Sequence, residues 1–168
     1  MQRLCVNGTW AVMSKSLKRV KRAAEELGLA PRIVETDVLT KTAAQAAEAV
    51  GVEVDQIAKS IIFRGEDSGE AVLFLTAGGN QVNAAKASDV AGEPLGKADA
   101  ALIRAQTGFA IGGVSPIGHL NPIRAWIDPR LMDFDEIWAA AGTPRHVFAL
   151  SPTDLVRVTG AALAEFTD

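Results

Sequence analysis

The chain contains a single cysteine and only two histidines among its 168 residues. Cys5 alone cannot form an internal disulfide or a zinc site built from several cysteines. The histidines, His119 and His146, have no cysteine partners and do not occur in an H-E-x-x-H pattern, so they make a weak case for a metal site. These residues therefore give little support for a metal site, and we predict no cofactor.

A long apolar run is also absent. No stretch of about 18 apolar residues occurs, so we expect no membrane-spanning helix and no membrane partner. The opening residues, "MQRLCVNGTWAVMS", are too few and too polar for the hydrophobic part of a secretory signal. The expected location is the cytoplasm.

The chain has fewer basic than acidic residues. It contains 17 lysines and arginines and 20 aspartates and glutamates, so the net charge is −3. This balance argues against a protein that coats nucleic acid without selectivity. One basic cluster nevertheless stands out in the first predicted helix, where it is formed by Lys15, Lys18, Arg19, Lys21 and Arg22. Such a cluster is usually a solvated helix face, and the alternative is a contact with a phosphate backbone.

The remaining composition is that of one ordinary globular domain. Its length is typical of a single domain, and its 48% hydrophobic residues suffice for a core. We predict an N-terminal extension over residues 1–14 and a single domain over residues 15–168. By size we expect a monomer, and the edge of a predicted hairpin leaves a weak dimer as the alternative.

Hydrophobic periodicity and capping signals predict the order of the elements. The predicted helices cover residues 15–29, 40–52, 83–92, 97–108 and 151–160. The N-caps of the first two are Ser14 or Ser16 and Thr40 or Thr42. The predicted strands cover residues 32–36, 60–63, 71–78, 122–128 and 146–150, and the alanine-rich segment 133–142 is interpreted as a short helix or turn.

The polar segment 64–70 predicts a turn that joins two neighbouring strands in an antiparallel hairpin. Helices and strands alternate without a strict βαβ order. This arrangement favours an α+β (mixed α/β) fold, in which a mixed, mainly antiparallel sheet is surrounded by helices.

The most unusual segment is "GFAIGGVSPIGHL", residues 108–120, which we call the glycine loop. It matches neither GxxxxGK[ST] nor GxGxxG, the usual phosphate-binding patterns. Glycine lets a main chain approach a ligand closely and present its N–H groups. Such groups suit a carbonyl oxygen that becomes negative during acyl transfer. The alternative is a tight structural crossover between a helix and a strand.

Lys59 lies in "QIAKSIIF", where a helical turn becomes an apolar strand. Lysines at such boundaries usually extend to solvent. The functional interpretation is a cation directed into a cleft, where it would stabilise a phosphate or a developing oxyanion.

Three further polar residues are candidate catalytic groups. Ser115 is not expected to be a nucleophile, because "GVSPI" is not G-x-S-x-G and Pro116 lacks the N–H that a nucleophile elbow uses. His119 and His146 could each act as a general base, a substrate contact or a structural residue.

Several stretches together resemble the YbaK/prolyl-tRNA-synthetase-associated editing-domain family. They are "KSIIFRG…AVLFLTAGGNQVN", then "LGKADA…TGFAIGGVSPIGH", and then "AAGTPRHVFALSPTDLVRVTG". The resemblance runs from about residue 16 to residue 158, and it rests mainly on the glycine loop combined with the upstream lysine. It implies a small mixed α/β domain that hydrolyses the ester of mischarged aminoacyl-tRNA without a metal.

The same resemblance implies the site residues. Lys59 corresponds to the family's key lysine, and Gly112, Gly113 and Val114 complete the catalytic set within the carbonyl-binding loop. The predicted substrate contacts are Ser115, Pro116 and His146, of which His146 would help to form the amino-acid pocket. The predicted tRNA contacts are Lys18, Arg22 and Lys86.

The implied partner is a mischarged tRNA, most simply tRNA(Pro) that carries a wrong small amino acid, together with prolyl-tRNA synthetase. Asn83 is a departure, because the family often carries an acidic residue there. Two alternatives stay open at this point. One is a binding module of the same fold that docks tRNA or a synthetase without turnover, and the other is a hydrolase of a different small ester.

Overall fold

The structure is a computed structural model and describes residues 5–6, 9–10, 14–30, 32–37 and 39–168. The helices are α1 (Lys15–Glu26), α2 (Ala43–Val50), α3 (Ala84–Ala91), α4 (Ala100–Thr107) and α5 (Pro152–Thr159). The strands are β1 (Cys5–Val6), β2 (Thr9–Trp10), β3 (Arg32–Glu35), β4 (Ile57–Gly65), β5 (Ala71–Ala77), β6 (Leu95–Lys97), β7 (Arg124–Ile127), β8 (Ile137–Thr143), β9 (His146–Leu150) and β10 (Ala162–Leu163).

Strands β3 to β10 form one eight-stranded sheet in the order β10-β7-β5-β4-β8-β9-β3, and β6 pairs with β4 outside this row. The pairs β4–β5, β4–β6, β8–β9 and β3–β9 are antiparallel. The pairs β4–β8, β5–β7 and β7–β10 are parallel. The predicted α+β fold with a mixed, mainly antiparallel sheet is therefore confirmed, and so is the hairpin formed by β4 and β5.

The two faces of the sheet pack against different helices, because successive side chains of a strand point to opposite faces. Along β4, Ala58 and Ile62 face the larger core, which includes Val20 of α1. Ile57 points the other way and packs with Ala46 of α2. The central strand β5 is buried over its whole length, as expected for a strand covered on both faces.

Side-chain caps set the starts of the first two helices. The Ser14 hydroxyl accepts a hydrogen bond from the Leu17 N–H at 3.0 Å. Thr42 and Gln45 form a reciprocal capping box at the start of α2. Of the alternatives that the sequence offered, the structure uses Ser14 and Thr42.

The prediction for residues 133–142 is wrong. A 3-10 turn occupies Pro129–Asp133, and Ile137–Thr143 is the strand β8. This strand lies between β4 and β9 and is mostly buried. Its sequence therefore lacks the alternating polar residues that mark a strand with one exposed face. Three consecutive alanines then favour a helix on propensity alone, and tertiary pairing overrides that preference.

Smaller differences concern the ends of elements. Strand β4 begins at Ile57, three residues before the predicted start, and α4 begins at Ala100 after its cap Asp99. The short strands β6 and β10 were not predicted, and β10 follows the segment expected to be the last element. Short edge strands carry too few residues for a recognisable period.

Strands β1 and β2 form a separate antiparallel pair within the predicted extension 1–14. The other residues before Ser14 lie outside the described residues, so that boundary stays a prediction. None of the helices in the described parts of the chain combines the length and apolar character that crossing a bilayer requires.

Candidate active site

A gap in the sheet lies beside the first half of β4. On the edge opposite β5, β4 pairs with β8 only at Ile57 and Ala58, and with β6 only from Phe63 to Gly65. A cavity of about 660 Å³ is located at this gap, which is within the usual range for ligand sites. The walls come from residues 40–44 at the start of α2, from residues 57–62 of β4, from residues 138–140 of β8, and from Ile111, Gly112 and Val114 of the glycine loop.

Lys59 lies in this wall and is held by a chain of hydrogen bonds. Its Nζ donates to the carbonyl of Asn80 at 2.6 Å. The Asn80 amide in turn donates to the Asp128 carboxylate at 2.9 Å. Asp128 is buried, and it also accepts the main-chain N–H groups of Ala77 and Arg130. The amine of Lys59 is therefore fixed rather than free to extend into solvent.

The surroundings of Lys59 also act on its charge. Burial lowers the pKa of Lys59 below its ordinary value, because a charged amine loses hydration there. The carboxylates of Asp128 and Asp55 oppose this shift by favouring the protonated form. The result is a partly desolvated amine placed where a negative group on a ligand could reach it.

The glycine loop approaches the cavity from the α1 side of the sheet. Gly112 has φ of 95°, a left-handed conformation that glycine adopts without strain. At Gly113 a Cβ atom would lie 2.9 Å from both Cα and N of Thr143. The loop therefore packs directly on the end of β8, and only glycine permits that approach.

The side chain of Lys59 leaves β4 on the α2 side of the sheet, in step with Ile57, while Val114 belongs to the core on the α1 side. The gap beside β4 joins the two sides. Lys59 and the exposed Gly112 thus line one cavity from opposite walls.

His146 is located at the start of β9 and is buried. Its Nδ1 lies 2.6 Å from the Thr143 hydroxyl, and its Nε2 lies 3.4 Å from a Glu35 carboxylate oxygen. Burial lowers the pKa of His146, and Glu35 opposes that shift. The next residue, Val147, lines the cavity, whereas His146 itself does not. Its predicted contact with substrate stays a prediction.

Comparison with known proteins identifies the family. The aminoacyl-tRNA editing domain model matches residues 38–158, which is most of the chain. The chain belongs to the aminoacyl-tRNA editing domain family. The resemblance inferred from the glycine loop and Lys59 is thereby confirmed.

Individual relatives agree with this membership. A solved structure described as a "putative trans-editing enzyme for prolyl tRNA synthetase" is 44% identical, with a TM-score of 0.87 over 94% of this chain and 99% of that chain. The "Putative Cys-tRNA(Pro)/Cys-tRNA(Cys) deacylase EbsC" of Enterococcus faecalis is 26% identical over 75% of this chain and 77% of its own length. The proline–tRNA ligase of Chromobacterium violaceum is 36% identical over 51% of this chain, which corresponds to 15% of that enzyme.

Three other residues of the glycine loop in this editing domain make contacts within the loop and do not line the cavity. Ser115 is fully buried, and its hydroxyl accepts the N–H of Ile117 at 3.3 Å. Pro116 is also buried, and neither residue lines the cavity. His119 packs against the ring of Phe109, and its Nε2 lies 2.5 Å from the Ser115 carbonyl.

Some basic side chains of the editing domain are exposed, and others make hydrogen bonds or ring contacts within the protein. Lys18 and Arg22 are exposed on α1, as a nucleic-acid contact requires. Arg19 is used internally, because its guanidinium stacks on Phe109 and its Nε donates to the Gly118 carbonyl at 2.8 Å. Lys86 is exposed, and its amine donates to the Thr167 carbonyl at 2.9 Å.

Asn83 has a local structural role in the editing domain, since its side chain caps α3 by accepting the N–H of Lys86. The residues that sequence reasoning missed are Asn80, Asp128 and Asp55. Asn80 follows β5 in "GGN", Asp128 follows β7 in "IDP", and Asp55 precedes β4 in "VDQ". Polar residues at strand ends were the available signal, but many turns carry them too.

Proposed function

We propose that this protein is a trans-editing deacylase that hydrolyses the ester of mischarged aminoacyl-tRNA. The substrate is tRNA(Pro) that carries a wrong small amino acid. Lys59 and the main chain of Gly112, Gly113 and Val114 are the catalytic groups. Family membership supports the general activity, and the relatives described as acting on tRNA(Pro) support this choice of tRNA.

One observation carries the assignment of catalytic residues. Lys59 and Gly112 line the same cavity although they come from opposite sides of the sheet. An ester placed between them would have a cation on one side and main chain without side chains on the other. This is the arrangement that stabilises an oxyanion without rearrangement during the reaction.

The chemistry needs no protein nucleophile. A water oxygen attacks the ester carbonyl carbon, and the carbonyl oxygen becomes negative while main-chain N–H groups and Lys59 stabilise it. The bond from carbon to the ribose oxygen then breaks, and the proton lost by the water passes to that ribose oxygen. The products are a free amino acid and an uncharged tRNA, and positioning supplies much of the rate because the ester is already reactive.

The cavity walls favour a small amino-acid side chain. The lining residues near β8 and α2 include Ala44, Ala46, Ala139 and Val147, which leave an apolar space. Apolar walls discriminate by about 1–3 kcal/mol per methylene, so the wall sets an upper size and not a single amino acid. We therefore assign a class of small side chains.

The tRNA body would contact α1 through Lys18 and Arg22, while Lys86 would contribute from α3. All three side chains are exposed. The similarity to a segment of a proline–tRNA ligase supports prolyl-tRNA synthetase as a functional partner that supplies the mischarged tRNA.

The test is release of labelled amino acid from Ala-, Cys-, Ser- and Thr-tRNA(Pro) by the wild type and by Lys59→Ala. We expect at least one of these substrates to be cleaved. The variant should lose about 10²–10³-fold in rate, which is the usual effect of removing one preorganised charge-stabilising group.

Lys97→Ala is the matched control, because Lys97 is an exposed lysine on β6 outside the cavity wall. Its rate should equal that of the wild type. Tight tRNA binding with no cleavage of any of the four substrates would replace the deacylase with a binding module. A Lys59→Ala variant as fast as wild type would remove the proposed site.

A further inference from the structure

Residues 162–168 follow α5 and lie beyond the part of the chain that matches the editing domain family. The segment begins as β10, which pairs with β7 in parallel. Further along, the Ala164 N–H donates to the Ile127 carbonyl at 3.3 Å, and Thr167 forms an antiparallel bridge with Val82. Segment 162–168 therefore contacts both the end of β7 and the loop that follows β5.

Both of these places adjoin residues that hold the Lys59 amine. Ile127 directly precedes Asp128, and Val82 lies two residues after Asn80. The Asp128 carboxylate accepts from the Asn80 amide, and the Asn80 carbonyl accepts from Lys59 Nζ. A shift at either place would therefore move the group to which the amine is bonded.

The loop after β5 is bonded to segment 162–168 on the downstream side of Asn80. The Asp168 N–H donates to the Gln81 carbonyl at 3.1 Å, and the Asn83 N–H donates to the Phe166 carbonyl at 2.8 Å. The Asn83 side-chain amide also donates to the Asp168 carboxylate at 3.1 Å. These three hydrogen bonds fix the main chain that leads away from Asn80.

A buried ring anchors the segment. Phe166 is fully buried, and its ring lies edge-to-face on Phe74 of β5 with 4.9 Å between the ring centroids. Phe74 in turn stacks on Trp126 of β7 at 5.0 Å. Nearer the surface, the Lys86 amine donates to the Thr167 carbonyl at 2.9 Å. The segment is thus attached to both strands whose ends carry the partners of Lys59.

We propose that segment 162–168 is a positioning element for the Lys59 amine, with Phe166 as its anchor and the Asp168 N–H as its contact with the loop that carries Asn80. The segment holds the Asn80 carbonyl in the place from which it directs the amine to the cavity. This inference rests on the proposed function, because the role is exerted through Lys59. Misplacing a reacting group by about 1 Å can cost about 10²-fold in rate, so such a remote element affects catalysis.

The first test follows the amine without any substrate. Asp168→Pro removes the N–H that donates to Gln81, and Asp168→Ala keeps it and is the matched control. Proline is compatible there because the preceding Thr167 has the extended conformation of a bridge residue. The probes are the Lys59 NH₃⁺ and Asn80 side-chain amide resonances of ¹⁵N-labelled protein, whose hydrogen exchange reports whether these groups stay bonded.

We expect hydrogen exchange at Lys59 and Asn80 to be at least about 5-fold faster in Asp168→Pro than in the wild type, the effect of losing about one hydrogen bond. Asp168→Ala should exchange at wild-type rates. Wild-type rates at both groups in a folded Asp168→Pro protein would overturn the proposal.

The second test separates positioning from stability by deacylation kinetics. Phe166→Ala removes the anchor, and Phe166→Leu keeps most of its apolar volume. Val90→Ala is the matched control, because Val90 packs on the same core cluster from α3 and lies outside the segment. At a temperature where all variants are folded, we expect Phe166→Ala to lower kcat about 10- to 100-fold with KM nearly unchanged. Phe166→Leu should recover most of the rate, and Val90→Ala should match the wild type.

Equal kcat values for Phe166→Ala and Val90→Ala would show that the segment contributes to stability alone and would refute its positioning role. If Phe166→Ala does not fold, Asp168→Pro and Asp168→Ala supply the same kinetic comparison. If the wild type cleaves no mischarged tRNA, the proposed function fails, and the exchange rates of Lys59 and Asn80 still decide the role of the segment.

Discussion

The charge of Lys59 depends on residues that are far from it in sequence. Asp128 holds Asn80, whose carbonyl accepts from the Lys59 amine. The Asp128 carboxylate also favours the protonated amine and so opposes the effect of burial. A single buried acid therefore both holds the residue that the amine contacts and favours the protonated form of the amine.

Asp128→Asn tests this dependence. Without the negative charge, the pKa of Lys59 should fall further below its ordinary value, while Asp55 retains a smaller opposing effect. In the proposed mechanism the charged amine stabilises the oxyanion, so the alkaline decline of the rate should move to lower pH. The measurements are the lysine Nζ titration by NMR and the pH–rate profile after subtraction of spontaneous ester hydrolysis. The Lys59→Arg variant, which stays charged, should show no such decline, and an unmoved profile in Asp128→Asn would refute the role of Asp128.

Gly113 is the second residue with a defined geometric role. Gly113→Ala would place a methyl group 2.9 Å from the main chain of Thr143, so the loop or β8 must move. We expect a loss of about 1–3 kcal/mol in unfolding free energy, which is typical of overpacking. The rate should fall as well, because the loop carries the proposed oxyanion contacts. Chemical denaturation and kcat measure the two effects, and wild-type values for both would show that the contact is not close.

At the scale of elements, helix α1 holds the glycine loop in position through Arg19. Arg19 stacks on Phe109 and donates to the Gly118 carbonyl, so one helix side chain bridges two points of the loop. The sequence groups Arg19 with four other basic residues, of which Lys15, Lys18 and Arg22 are exposed and Lys21 is half-buried. Its contacts with Phe109 and Gly118 of the glycine loop distinguish it from them.

The variants Arg19→Ala and Arg19→Lys distinguish a fastening role from a tRNA contact. Lysine keeps the charge but lacks the planar guanidinium that stacks and donates in a fixed direction. If Arg19 positions the loop, both variants should lower kcat with little change in KM. If it contacts phosphate, lysine should restore KM, and that result would contradict the fastening role.

At the scale of the whole molecule, the proposed function requires a protein of net charge −3 to bind a polyanion through a local positive patch. Lys18 and Arg22 are exposed on α1 and would supply that patch. Binding by such a patch releases counterions and weakens as salt is added. A small neutral ester would show no comparable dependence.

We expect log(kcat/KM) for mischarged tRNA to fall linearly with log salt concentration. The double variant Lys18→Ala/Arg22→Ala should reduce that slope by about 1–2, which corresponds to one phosphate contact for each residue. Arg157→Ala is the matched control, because Arg157 is an exposed arginine on α5 that pairs with Asp154. A slope that is unaffected by the double variant would place the tRNA elsewhere.

Much of this molecule follows from residue order alone. The hairpin of β4 and β5 and the approximate starts of the first two helices depend on local chemistry, which neighbouring residues specify. The choice of Ser14 over Ser16 and of Thr42 over Thr40 as N-caps is visible only in the structure. The family follows from the same local stretches. The prediction for residues 133–142 is wrong because the apolar residues of β8 carry no local signal of the strands that pair with them.

Pairing between strands that are distant in sequence determined the geometry of the candidate site. The gap beside β4 exists because β8 stops pairing at Ala58 and β6 starts at Phe63, and neither partner is near β4 in the chain. The same assembly brings Asp128 and Asn80 to Lys59. Such contacts depend on which distant strand ends meet, and no periodicity within one segment records that.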